Sequence, residues 1–450
     1  VRNIYHFIGM GGIGMSGLAK IALQKGAVVS GSDQKSSYLL DSLKQQGAIT
    51  FLGHQAKHIP EEATVIYSTD IKEDNPEYLA AKQRGSRLLH RSEFLHELMR
   101  ESSPLLVTGT HGKTTTTALL AHVLAYAKQN PSYCIGGVAC NFQSQAAHGL
   151  GRWFVAEADE SDGSFLRYAP AGAIITNIDC DHLPYWKTME ALELGFFAFA
   201  ESVQNKEWLI LCAEDSRLAS LRLGGITYGF SPEADLVIEH AVECGWSSVC
   251  TFSFRGELHE GITVPLLGRH NVLNAAAVFA LALQIGLAPK TIKEAIGSFQ
   301  GVGRRAEKKG EARGILFYDD YAHHPSEIAT TLQGFRRAAK EARLIAIFQP
   351  HRYTRVRDCF EEFGFSFDAA DIVIVTDIYS AGESPLEGFS TDLLHSCMRS
   401  QMNKPCHYIP RNALVEYLLM SAQEGDLLVS LGAGDITHLG NEWMHRMNNL

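Results

Sequence analysis

The stretch Gly109-Thr110-His111-Gly112-Lys113-Thr114 puts two glycines, an ammonium and a hydroxyl into six consecutive residues. Glycines there let backbone N–H groups approach phosphate oxygens. A lysine at that place reaches the terminal phosphates of a nucleotide, and the following hydroxyl can ligate Mg²⁺. The common phosphate loop has four residues between its glycines, and this one has two. The reading therefore rests on context: an apolar run over 105–107 reads as a buried strand, and a helix-forming run starts at Thr115. A βα turn that binds nothing is the plainer alternative. A second group of chemistry-bearing residues follows the apolar run 153–156: Glu157, Asp159, Glu160 and Asp162 are four carboxylates in six residues. At the C-terminal end of a strand beside a phosphate loop, carboxylates can meet Mg²⁺ and phosphates. A solvated acidic turn is the alternative. A further strand over 173–176 ends in Asn177-Ile178-Asp179-Cys180-Asp181-His182. His182 is a candidate metal ligand there, or a hydrogen-bonded surface histidine. Parallel strands would bring these ends together.

The same pattern of loaded strand ends recurs on both sides. Near the start, a strand over 4–8 runs into Gly9-Met10-Gly11-Gly12-Ile13-Gly14, then a helix to about Gln24 and a strand over 27–30 ending at Gly31-Ser32-Asp33. This spacing predicts a diphosphate on a helix N-terminus, with Asp33 near a ribose. Further on, Gly268-Arg269-His270-Asn271-Val272-Leu273-Asn274 precedes a helix over 275–284. Asn271 and Asn274 lie three apart on one face, where their amides could read an adenine edge; N-capping is the competing role for Asn271. Gly301-Val302-Gly303-Arg304-Arg305 reads as a hinge with paired cations, one of which could swing onto a terminal phosphate. Strands over 315–318, 343–348, 371–376 and 426–430 then end in turns that carry Asp320, Tyr321, His323, His351, Arg352, Arg355, Asp377 and Asp435. Open parallel sheets bind ligands at such ends.

The elements that position these residues alternate between strand and helix, which predicts an α/β fold of parallel sheets. At 450 residues, with 46% apolar and 20% charged residues, the chain should form about three domains. We place them at 1–101 (Rossmann-like), 102–300 (central, with the phosphate loop) and 301–450 (C-terminal, Rossmann-like). A net charge of −10 argues against a general nucleic-acid or membrane-surface binder. Nine scattered cysteines without a CxxC pair indicate reduced thiols in a cytoplasm. No apolar run approaches the roughly 18 residues of a bilayer span, and no secretory leader is expected before the first strand.

Long strings carry a resemblance along essentially the whole chain: GMGGIGMSGLA, TGTHGKTTTT, EADESDGSF, TNIDCDH, GRHNVLNA, GVGRR, YDDYAHHPSEI and FQPHRYTR. In these the sequence resembles the Mur ligase family. The resemblance implies an ATP- and Mg²⁺-dependent amide-bond ligase of cytoplasmic peptidoglycan synthesis, joining L-alanine to UDP-N-acetylmuramate through an acyl phosphate, as a monomer or weak homodimer. It implies that Gly9, Gly11, Gly12, Gly14, Met15 and Asp33 hold the UDP-sugar. Gly109, Thr110, His111, Gly112, Lys113, Thr114 and Thr115 would cradle the ATP phosphates. Thr114 and Glu157 would hold one Mg²⁺ and His182 a second. Asn271 and Asn274 would lie by the adenine, Asp320 by the ATP ribose and Arg305 by the terminal phosphate. Tyr321, His323, Arg352 and Arg355 would face the muramyl carboxylate and the incoming alanine, with Lys113, Arg305 and His323 as the catalytic set. Several relatives use a carbamylated lysine at the second metal. The matching stretch 189–197 has no lysine, which leaves Glu190, Glu193 or solvent in that role. Three rivals stand beside this reading: a sister ligase that adds a preformed peptide to the same sugar, an oxidoreductase using the crevice at 9–14, and a non-catalytic nucleotide-gated switch.

Overall fold

The structure is a computed structural model that describes residues 2–179 and 183–449; Cys180, Asp181 and His182 lie outside the described residues. Two compact units are formed. One comprises Val1–His240, Cys250–Ile262 and Leu273–Gln300, and the other Ala241–Val249, Thr263–Val272 and Gly301–Leu450.

The first unit carries two sheets. A five-stranded parallel sheet runs in the spatial order Ile49–Leu52, Val28–Asp33, Ile4–Ile8, Thr64–Tyr67, Leu88–His90. This doubly wound order places the glycine turn at the carboxyl end of Ile4–Ile8. The strand Val28–Asp33 extends three residues beyond its expected end. Gly31 sits inside it because a Cβ there would stand 2.7 Å from Phe7 O and 2.6 Å from Met10 Sδ. The helix Arg91–Met99 is not anticipated from the sequence. Its cap is His90, closed by a capping box with Glu93, whereas the usual cap signal is Ser, Thr, Asp or Asn.

The second sheet has ten strands, and its centre positions the chemistry. Gly172–Ile175, Ser103–Thr108 and Trp153–Glu157 are adjacent and parallel, with Ile175 opposite Thr108 and Val107 opposite Glu157. Leu105, Leu106 and Val107 are fully buried, as a strand covered on both faces requires. The three loaded strand ends thus meet on one edge. The helix Arg269–Gln284 starts six residues earlier than expected, so Asn271 and Asn274 lie inside it.

In the second unit the six-stranded sheet runs Glu307–Ala312, Ile315–Asp320, Asp426–Leu431, Arg343–Phe348, Ile372–Val375, Cys406–Tyr408. All pairs are parallel except the first, which forms an antiparallel edge. Alternation along Arg343–Phe348 sends Leu344, Ala346 and Phe348 into one core with Phe335 and Val373, and Ile345 and Ile347 into another with Leu428 and Trp443. Among the described residues no helix is long and apolar enough to cross a membrane.

Candidate active site

The turn after Ser103–Thr108 is shaped for close backbone approach. Gly109 has φ 125°, and a Cβ on it would lie 2.2 Å from Thr176 Oγ1; Gly112 has φ 86°, and its Cβ would meet Asn274 Oδ1 at 3.0 Å. Both positions exclude a side chain. The neighbouring strand end clamps the loop: His111 N donates to Asn177 Oδ1 at 2.8 Å, and Asn177 Nδ2 and Thr176 Oγ1 donate to His111 O at 3.0 and 2.6 Å. The Asp179 N–H donates to Thr110 Oγ1 at 2.9 Å. Helix Lys113–Tyr126 opens on Gly112 with no side-chain cap, so its first-turn N–H groups, Thr114 and Thr115 among them, face the loop. Asn177 is a positioning residue to which sequence reasoning assigns no role; its signal is its place at a strand end beside the loop.

The acidic turn is no solvated run. Glu160 is 1% exposed and accepts from Lys113 Nζ with both carboxylate oxygens at 2.9 Å. Glu157 Oε1 accepts from Gly136 N at 2.6 Å, and its Oε2 lies 3.3 Å from the Thr114 hydroxyl. Burial pushes the Glu157 carboxyl up, only partly offset by the Gly136 N–H and by Lys113. Burial also acts on Asp159, yet Lys113 and Arg91 outweigh it and hold that carboxyl at about 2. Arg91 Nη2 donates to Asp159 at 2.9 Å and lies 3.7 Å from Asp162, while its Nη1 is 3.9 Å from where a Cβ on Gly14 would be. Following directly on the strand Leu88–His90, it ties the first sheet to the second sheet's acidic turn, a link invisible in sequence order.

The residues present suit a magnesium ion. Thr114 and Glu157 offer two adjacent hard oxygens, the type Mg²⁺ takes alongside substrate phosphates and waters. Among the described residues no group of three or more His, Cys, Asp or Glu is placed to hold an ion on protein ligands alone. Glu193 is paired with Arg217 at 3.0 Å, and Glu190 is exposed in the first turn of its helix, capped by Thr188. The expectation on His182 lies outside the described residues.

At the glycine turn of the first sheet, Gly12 caps helix Ile13–Gln24 without a side-chain bond, Met15 is buried behind it, and Gly9 takes φ 79°. Asp33, expected near a ribose, accepts from Gly11 N at 2.9 Å and Lys35 N at 3.1 Å, so its carboxylate clasps the turn.

In the second unit, the Asn271 amide donates to Leu267 O at 2.8 Å, four residues back, rather than capping the helix end. Asp320, expected by the ATP ribose, is 6% exposed; its oxygens accept from Ala306 N at 2.7 Å and Ala322 N at 2.8 Å, tying two turns together. Burial lifts its carboxyl to about 6 despite Arg305. Arg304 is committed to the last strand end: its Nη2 donates to Gly432 O at 2.8 Å and Gly434 O at 3.1 Å. Both Arg304 and Arg305 lie over the Tyr321 ring, at 4.7 and 5.3 Å from its centroid. His323 Nδ1 lies 2.8 Å from Tyr321 O. A carbonyl only accepts, so Nδ1 carries the proton and Nε2 of the neutral ring keeps a lone pair. Burial, helped by Arg355, lowers its pKa below the ordinary 6.5 in spite of Glu327. His351 stacks on Tyr379, takes a bond from Arg355 Nη1 at 3.3 Å, and is driven by burial and by neighbouring His323 and Arg355 to about 4. Arg352 holds φ 67° and ψ 133°, a conformation costing a non-glycine residue roughly 1–3 kcal/mol, pinned by its N–H to Tyr379 O at 2.8 Å. Sequence reading places His351 at a loaded strand end but gives it no role, because a lone histidine after a strand has many bland explanations.

A glycine–lysine loop on a parallel sheet, a second parallel sheet with a glycine turn and a further α/β sheet with cationic strand ends have the architecture of an α/β enzyme of several domains. Three profiles match along the chain: "Mur ligase family, catalytic domain" over 4–103, "Mur ligase middle domain" over 107–282 and "Mur ligase, glutamate ligase domain" over 304–434. The chain belongs to the Mur ligase family. It is 46% identical over its full length to the UDP-N-acetylmuramate–L-alanine ligase of Protochlamydia amoebophila (strain UWE25), of which it covers 99%. Its fold matches the crystal structure of the UDP-N-acetylmuramate–alanine ligase of Thermotoga maritima with a TM-score of 0.88 at 28% identity, covering all of both chains. The murein peptide ligase of Psychrobacter arcticus 273-4 matches with a TM-score of 0.73 at 25% identity, over 100% of this chain and 99% of that one.

Proposed function

We propose that this chain is an ATP-dependent ligase that joins L-alanine to the lactyl carboxylate of UDP-N-acetylmuramate, in cytoplasmic peptidoglycan precursor synthesis. The observation that carries the reading is the Lys113 loop seated beside the Thr114–Glu157 oxygen pair, in a chain that matches an alanine ligase from end to end.

The sugar carboxylate attacks the γ-phosphorus of ATP, and ADP leaves, giving an acyl phosphate. Two anions must meet in that step, so cations have to offset their repulsion. Lys113 and Arg305 supply side-chain charge. A magnesium ion held by Thr114 and Glu157 would neutralise phosphate charge when bound. The alanine amine, in its neutral form, then attacks the activated carbonyl, and phosphate departs. His323 takes the amine proton on Nε2, the nitrogen that its Nδ1–H bond to Tyr321 O leaves with a lone pair. Arg352 and Arg355 hold carboxylates of the sugar and of alanine, Asn271 and Asn274 serve the adenine, and Asp320 stabilises the turn that presents Tyr321. The glycine turn at 9–14 takes the UDP moiety, with Asp33 holding that turn in shape. We take the domains as 1–101, 102–300 and 301–450, and the enzyme as a monomer or weak homodimer.

Lys113→Ala is expected to lower kcat by roughly 10³-fold or more while UDP-N-acetylmuramate affinity, read by calorimetry, stays within a few-fold. Normal turnover in that variant would refute the mechanism.

A further inference from the structure

Lys113 has no donor to spare. An ammonium carries three N–H bonds. Gly109 O at 2.6 Å and Thr110 O at 3.1 Å take two, and the two Glu160 oxygens, each at 2.9 Å, share the third. The lysine is thus folded back onto its own loop. Glu160 is fixed independently of it: its carbonyl accepts from Trp186 Nε1 at 2.8 Å and from Gly163 N at 3.1 Å. Its side chain is 1% exposed, against 16% for Lys113, so the pair sits at the inner side of the loop with the lysine outermost.

Any phosphate that Lys113 grips must displace one of these partners. The two carbonyls are neutral and belong to the loop itself, so they travel with it. Glu160 is anionic, buried, and competes with phosphate for the same proton donor. Charge-assisted bonds of this kind are the strong ones, and losing one is felt directly in affinity. Resting on the reading of Lys113 as the phosphate-binding lysine, we propose that Glu160 is a positioning residue that parks the Lys113 ammonium on the empty loop. The terminal phosphates of the nucleotide displace it, and it re-pairs with Lys113 as phosphate and ADP leave. Nucleotide affinity is then set against an internal carboxylate, which weakens retention of products.

Glu160→Gln keeps the shape and removes the charge. With Mg²⁺ held constant, calorimetric titration with the β,γ-imido analogue of ATP should show affinity about tenfold higher in E160Q than in the unmodified chain, with AMP binding unchanged. Inorganic phosphate and ADP should inhibit E160Q at correspondingly lower concentrations, and kcat and the KM for ATP should fall together as product release slows. In the Lys113→Ala background the Glu160→Gln gain should vanish, a coupling that a merely structural disturbance would not produce. If Glu160→Gln does not fold, Glu160→Asp, with the same charge on a shorter reach, should show a smaller gain of the same sign. Equal or weaker binding of the analogue in the folded variant, or a gain that survives without Lys113, overturns the proposal. If Lys113→Ala alone binds the analogue as tightly as the unmodified chain, the underlying reading of the loop fails instead.

Discussion

Adjacent arginines in one turn meet different fates. Arg304, at φ 62°, spends its guanidinium on the carbonyls of Gly432 and Gly434 and approaches Asp319 at 3.8 Å. Arg305 lies over the Tyr321 ring, and its charge acts on Asp320 and His323. We therefore expect Arg304→Ala to lower unfolding free energy by about 1–3 kcal/mol, because it orphans carbonyls at a strand end. Arg305→Ala should leave the melting temperature nearly unchanged and cut kcat by roughly 10²-fold or more. Thermal melts and turnover measured on both variants check the division; a melting loss confined to Arg305→Ala would reverse it.

At the scale of elements, the first sheet is tied together around one buried carboxylate. Glu77, in helix Pro76–Arg84, accepts from the hydroxyl of Ser32, from His58 Nδ1 at 2.9 Å and from Gln55 N at 3.1 Å, with His6 Nε2 and His54 Nδ1 each at 3.4 Å. It therefore joins a helix to two strands and to the segment after a third. Burial alone would raise its pKa, but bonds from His6 and Ser32 overcome that and bring it from 4.5 to about 2. A depressed carboxyl stabilises the fold above its unfolded pKa and loses that contribution as pH falls through the folded one. The window is therefore pH 4.5 down to about 2, with about 3 kcal/mol at stake. Denaturation of the unmodified chain over that range should steepen with acid, and Glu77→Gln should be less stable at neutral pH and show a flatter slope. Parallel slopes would refute the assignment. Elements such as these were legible where the signal is local. Ile4–Ile8 and Arg343–Phe348 fall on their expected residues because apolar runs mark them. Arg91–Met99 escaped because a histidine caps it, and the early start of Arg269–Gln284 escaped because its first turn is polar.

For the whole molecule, the open choice is between a single amino acid and a preformed peptide as acceptor. The fold match to the alanine ligase, with a TM-score of 0.88, exceeds that to the murein peptide ligase, 0.73. Phosphate release from ATP should require UDP-N-acetylmuramate and respond to L-alanine. A response to a murein tripeptide in its place would select the sister activity, and NADH binding at the 9–14 crevice would revive the oxidoreductase.

By itself the sequence determined the α/β class, the phosphate loop and the row of loaded strand ends, since hydrophobic runs and glycine turns act over a few residues. It could not say which of four carboxylates in six residues would be buried against Lys113, which arginine would be spent on carbonyls, or that Asp33 and Asp320 would hold turns. Those answers depend on partners far along the chain: Glu160 meets Lys113 across 47 positions and Arg304 meets Gly432 across 128. Only the packed sheets bring them within hydrogen-bonding reach, and burial there decides which charge is paired.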